Sequence, residues 1–105
     1  MRLISQKNLL IAIEPYPDAK TAIESWYQLI KDNDWQSLEE MRNGYSKSVD
    51  EVYGYTIFNI KGNRYRLIVQ INYRTKIIFF KTFLIHAEYS KINWNDQDEV
   101  KQKLG

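Results

Sequence analysis

Between Tyr55 and Ile85 the chain is almost unbroken β pattern, and two short interruptions govern how it can fold. The runs YTIFNIK, RYRLIVQINY and KIIFFKTFLI are dense in β-branched and aromatic residues, which suit a pleated, half-buried surface. Gly62-Asn63 separates the first two runs and Arg74-Thr75 the second two. Breaks this short leave antiparallel hairpins as the solution, because a parallel neighbour needs a crossover of about a dozen residues or more.

Strand parity then sorts the side chains. A two-residue turn at Gly62-Asn63 pairs 61 with 64, 60 with 65, 59 with 66 and 58 with 67. One face carries Phe58, Ile60, Tyr65, Leu67, Val69 and Ile71, and must meet a hydrophobic layer. The other carries Asn59, Lys61, Arg64, Arg66, Gln70 and Asn72. An equally tight second turn pairs 73 with 76, 68 with 81, 66 with 83 and 64 with 85. Lys81 then joins the polar face, diagonal to Arg66, together with Ile77, Phe79, Phe83 and Ile85. The expectation is that Lys61, Arg64, Arg66 and Lys81 converge on one face, with His86 at its rim.

The hydrophobic layer comes from the first half. MRLI can form a short strand, and Ser5 is a fair N-cap for a helix through about Glu14, with Leu9, Leu10 and Ile13 as its apolar members. Asp18, after Pro17, is a suitable N-cap for a second helix. Its Ile23, Trp26, Tyr27 and Ile30 fall at i, i+3, i+4 and i+7 and make one apolar face. Ser37 with Glu40 reads as a capping box for a short helix over 38–43. Residues 44–54 read as a loop, and 94–105 as a short helix or a frayed end. The expected fold is α+β: N-terminal helices packed on one face of a small, mainly antiparallel sheet, in one domain over 1–105.

Charge is distributed unevenly. Residues 1–52 hold six Lys/Arg and nine Asp/Glu, whereas 53–93 hold seven Lys/Arg and one acid, Glu88. A basic half joined to an acidic half points to a polyanionic partner such as nucleic acid. A face that mixes cations with aromatics suits RNA, which offers phosphates to neutralise and bases to stack. The absence of cysteine excludes disulfides and thiolate metal sites. The opening MRLISQKNLL lacks a secretory leader's apolar run. No stretch approaches the ~18 apolar residues of a membrane span. A soluble, cytoplasmic protein is expected.

The chemistry available to the basic face is narrow. One histidine, no cysteine and one nearby acid do not make a metal site, so no metal or other cofactor is expected. No phosphate-binding glycine loop and no nucleophile elbow occurs. RNA cleavage by the ribose 2′-hydroxyl needs only a base, an acid and cations to stabilise charge growing on the phosphate. His86, Tyr89 and Lys61 are candidate proton-transfer groups. Arg64, Arg66 and Lys81 are candidate phosphate clamps, with Asn59 and Arg74 as further RNA-binding candidates. Tyr89 lies three residues after His86, so a helix starting there turns both the same way. The same face could instead bind RNA without cleaving it.

The stretches MRLIS, YPDAKTAIESWY, DW at Asp34-Trp35, FNIKGNRYRLIV and above all HAEYSKI resemble the HigB family of toxins from bacterial type II toxin–antitoxin systems, which have a RelE-like fold. The resemblance implies an endoribonuclease that cleaves mRNA, typically in the ribosomal A site. It also implies neutralisation by a HigA-type antitoxin carrying a helix-turn-helix domain, in a toxin–antitoxin hetero-oligomer. It assigns the catalytic site to Lys61, Arg66, His86 and Tyr89, and Arg64 next. Ser90 stands where the family often has Asp, another helix-capping residue. Lys81 stands where it often has Arg, and a lysine cannot grip a phosphate bidentately. Related ParE toxins, which poison DNA gyrase, share the fold and lack this cluster.

Overall fold

A computed structural model describes all 105 residues. Five strands form one sheet: β1 (Arg2–Ile4), β2 (Asp50–Val52), β3 (Tyr55–Ile60), β4 (Tyr65–Asn72) and β5 (Ile77–Ile85). Their spatial order is β1-β5-β4-β3-β2. The neighbours are antiparallel except β1, which lies parallel to β5. The helices are α1 (Gln6–Ile13), α2 (Lys20–Lys31), α3 (Leu38–Gly44), α4 (His86–Lys91) and α5 (Gln97–Leu104), with a turn of 3-10 helix at Pro17–Ala19. This is the expected α+β class.

The helical layer forms for the anticipated reason. In α2, Ile23, Trp26 and Ile30 are buried, and they pack with Leu9, Ile13, Trp35 and Met41 over Phe58, Ile60, Tyr65, Leu67 and Val69 of the sheet. Ser37 caps α3 by accepting from the Glu40 N–H at 3.1 Å. Three details differ. Ser5 precedes α1 in a left-handed conformation and its side chain caps nothing. Leu10 is half exposed, because it lies a third of a turn past the buried Leu9. Asp18 caps no helix; its carboxylate is engaged elsewhere, as described below.

Two further segments are regular, one read from sequence as a loop and the other as a short helix or a frayed end. Residues 50–52 pair with 55–57 as an edge strand, joined through Tyr53 and Gly54, both with positive φ. The end of the chain is helical, with Asp96 capping α5 by accepting from Asp98 and Glu99 N–H. Val100 and Leu104 of α5, with Ile92, bury Tyr55, Ile57 and Ile68. The sheet face opposite the main core is therefore covered at its β3 side and open towards β5 and β1, where Phe79 is exposed.

Both hairpins keep the expected pairing near their turns. Ile60 pairs with Tyr65 and Asn59 with Arg66, while Asn72 pairs with Ile77 across a four-residue turn. Asn72 shapes that turn by accepting from the Arg74 and Thr75 N–H groups, both at 3.1 Å. The ladder then slips. Val69 pairs with Phe80 but Ile68 with Thr82, which leaves Lys81 unpaired in a β-bulge.

Candidate functional site

The end of the β3–β4 hairpin meets the start of α4. The His86 N–H donates to the Arg64 carbonyl at 2.9 Å, so the β4–β5 ladder runs right up to the histidine and fixes its backbone beside Arg64. Its imidazole is exposed, with Nε2 3.4 Å from Ser90 Oγ. Ser90 lies within α4, one turn from His86; the expected capping role is replaced by contact with the imidazole. Glu88 accepts from the Ile85 N–H at 3.2 Å and so closes the first turn of α4. It forms no ion pair with Lys91 or an arginine.

Tyr89 follows one helical turn after His86 and lies between two partners. Its ring is 5.0 Å from that of Trp94, whose indole N–H donates to the Tyr89 carbonyl at 3.1 Å. Over its ring, 4.7 Å from the centroid, sits the guanidinium carbon of Arg66, a cation–π arrangement. Arg66 is only 7% exposed. It donates to the carbonyls of Asn63 (3.1 Å) and Tyr65 (3.2 Å) and to Asn63 Oδ1 (3.4 Å). All these acceptors are neutral, and no carboxylate pairs with it. A buried cation without a counter-ion is costly, and here neutral acceptors and the Tyr89 ring are all that answer it.

The expected convergence of four cations on one face is not what the structure shows. Lys61 and Arg64 leave the ladder: residues 61–64 form a turn closed by Arg64 N–H to Lys61 O at 3.3 Å, with Lys61 at φ 53° and Gly62 at φ 66°. Both side chains turn to the helical side and share Asp18 Oδ2, Arg64 Nη1 at 2.9 Å and Lys61 Nζ at 3.3 Å. The Tyr65 hydroxyl donates to Asp18 Oδ1 at 2.5 Å. Chiefly that hydroxyl, and then the two cations, hold the Asp18 carboxyl down at about 2; the same bond pushes the Tyr65 phenol up.

The bulge rearranges the far strand. Phe80 and Phe83 both pack with the main core, so Lys81 and Thr82 between them both face the other way. Lys81 therefore keeps Arg66's face. Phe83 does not; it stacks 5.1 Å from Tyr65 and 5.9 Å from Tyr16 inside the core, and Ile85 packs against that core too. Of the apolar residues expected beside the cations, Ile77 and Phe79 alone remain. Asn59 sits opposite Arg66 on β3. Arg74 lies in the turn at the other end of β4, eight residues long, about 23 Å away along the strand, and does not join the cluster. No three His, Cys, Asp or Glu side chains come together as a metal site would need.

Sequence reasoning missed Asp18, Asn63 and Trp94. Asp18 had no signal beyond its reading as a helix cap; the packing of Tyr16, two residues earlier, 5.3 Å from Tyr65 brings the acid to that residue's hydroxyl. Asn63 and Trp94 had none either, since each acts through contacts that form only in the folded chain.

The sequence is similar to one described family and to two curated proteins. The HigB_toxin family model, described as the RelE-like toxic component of a toxin–antitoxin system, matches residues 19–92. An mRNA interferase HigB of Escherichia coli O6:H1 is 32% identical over 94 residues, covering 88% of this chain and 91% of the relative. The mRNA interferase toxin HigB of Escherichia coli K12 is 27% identical over 94 residues, covering 85% and 88%.

Proposed function

Because this chain belongs to the HigB_toxin family of RelE-like toxic components of toxin–antitoxin systems, we propose that it is an endoribonuclease that cleaves mRNA on the ribosome, by metal-free attack of the ribose 2′-hydroxyl. The observation that carries this reading is Arg66: buried, stacked on Tyr89, unpaired with any acid, and on the strand beside the histidine helix. Such a group is suited to a phosphate whose charge grows in the transition state. The curated relatives bear the name mRNA interferase.

In this reading the 2′-oxygen loses its proton and attacks the adjacent phosphorus. The bond from phosphorus to the 5′-oxygen breaks, leaving a 2′,3′-cyclic phosphate, and the 5′-oxygen takes up a proton. His86 and Tyr89, one helical turn apart, divide the two proton transfers. Arg66 stabilises the phosphate. Lys81 and Asn59, on the same face, hold the strand outside the scissile bond, and Lys61 and Arg64 contact it from the hairpin tip. The site is an open surface rather than a cleft, which supports a role for the ribosomal A site in orienting the mRNA. Orientation is worth a large part of such a barrier. A HigA-type antitoxin with a helix-turn-helix domain is the proposed neutralising partner, and the cytoplasm the place of action. No helix is long and apolar enough to cross a membrane.

The test is inducible expression of the wild type, His86→Ala and Tyr89→Phe, with mapping of cellular mRNA 5′ ends. New codon-phased ends from the wild type alone are expected. Toxicity without such ends points to another poison of the same fold, or to RNA binding without cleavage. Ends that persist in both variants move the site elsewhere.

A further inference from the structure

Asp18 has no part in the chemistry above, yet it is the sole acid touching any of the cations assigned to RNA. Its two oxygens do different work. Oδ1 accepts from the part-buried Tyr65 hydroxyl, whose ring is locked between Tyr16 and Phe83. Oδ2 accepts from Lys61 and Arg64, both solvent-exposed. The first bond anchors the carboxylate, and the other two are of the weak, exchangeable kind that exposed ion pairs make.

The turn that carries these cations is held on its other side by the site itself. Asn63 receives the Arg66 guanidinium through its carbonyl and its side chain, and the Arg64 carbonyl receives the His86 N–H. The hairpin tip therefore spans from Asp18 to the Arg66–His86 centre. Lys61 holds a left-handed backbone there, which is uncommon for a residue with a side chain and persists where surrounding contacts enforce it.

We propose that Asp18 is a positioning residue for RNA: anchored by Tyr65, it presents Lys61 and Arg64 side by side as a ready-made grip and yields them to a phosphate flanking the scissile one. The inference rests on the ribonuclease reading above. A phosphodiester carries one negative charge, as the carboxylate does, so the cations change partner without losing a counter-charge. Two long side chains already gathered need less ordering when RNA binds, and the turn that carries them keeps Arg66 and His86 in register.

The test is a mutant cycle in single-turnover cleavage of mRNA on programmed ribosomes. Asp18→Asn keeps an acceptor for Tyr65 and removes the charge; it is expected to slow cleavage about tenfold or more. In a Lys61→Ala/Arg64→Ala background, the same change is expected to have no further effect. Tyr65→Phe, which frees the carboxylate from its anchor, should slow cleavage and likewise lose its effect in that background. Equal slowing of both backgrounds means Asp18 serves folding alone and overturns the proposal. Faster cleavage by Asp18→Asn overturns it too, since the carboxylate would then mask the cations. A fully active Lys61→Ala/Arg64→Ala variant removes the grip itself. A wild type that cleaves nothing on programmed ribosomes sinks the underlying ribonuclease reading instead.

Discussion

At the scale of single residues, the site is defined by which charges are answered within the protein and which are not. Lys61 and Arg64 have Asp18; Arg66 has carbonyls and an aromatic ring. Arg66→Lys keeps the charge but loses the planar fork and the stacking surface. We expect about a hundredfold loss of single-turnover cleavage, the size of effect seen when a transition-state donor is removed. The Asp18 contacts give a pH expectation. The folded carboxyl lies at about 2, below its ordinary 3.8, so its contribution to stability is present above pH 3.8 and is lost as pH falls towards 2. The Asp18 carboxyl carbon, followed by NMR, should show no titration at pH 4 and should begin to shift only below about 3. His86, Tyr89 and Arg66 could all be singled out by residue type and parity. Asp18 could not, because an acid just before a helix has an ordinary local explanation in capping, and only the folded chain sends it 47 residues away, to Tyr65.

At the scale of elements, the β-bulge in β5 decides which side chains the site contains. Strict alternation sends Phe83 and Ile85 to the cation face. The spacing of Phe80 and Phe83 opposes that: two core aromatics three residues apart cannot share a face of a regular strand. The extra residue between them, Lys81, restores the fit, and the sequence FKTF carried that signal. Lys81→Ala should leave thermal stability nearly unchanged, within about 0.5 kcal/mol, while weakening RNA binding. Deleting Lys81 should also leave the fold intact, because Phe80 opposite Val69 and Thr82 opposite Ile68 would then be consecutive pairs of a regular ladder and Phe83 would stay on the core face. A deletion variant that melts far below Lys81→Ala would refute this account. The register of the first hairpin followed from Gly62-Asn63 alone; its tip did not, since the left-handed Lys61 carries two cations out of the ladder.

At the scale of the whole molecule, the acidic first half builds most of the helical layer and the basic second half most of the sheet. The charge asymmetry along the chain thus becomes an asymmetry in space. RNA bound to the open face should respond to salt through the few phosphates it contacts. For two to four contacts on a single strand, log affinity should fall against log salt with a slope of about −1.5 to −3. Titrating a short single-stranded RNA at several salt concentrations measures it. A slope near zero would mean the basic face does not meet phosphates. The α5 layer also belongs to this scale. Ile57 and Ile68 lie on the face that parity calls polar, and they are buried there because α5 closes over them.

Local pattern by itself determined the meander of three strands, the helix faces that cover it, and the presence of Arg66, His86 and Tyr89 near one end. Alternation, helical periodicity and turn chemistry act over a few residues and can be read over that distance. The tertiary structure decided which cations are free. That depended on a bulge forced by core packing, on a turn in a left-handed conformation, and on a carboxylate delivered from a distant helical turn. Each is a contact between segments far apart in the chain, where short-range pattern carries no information.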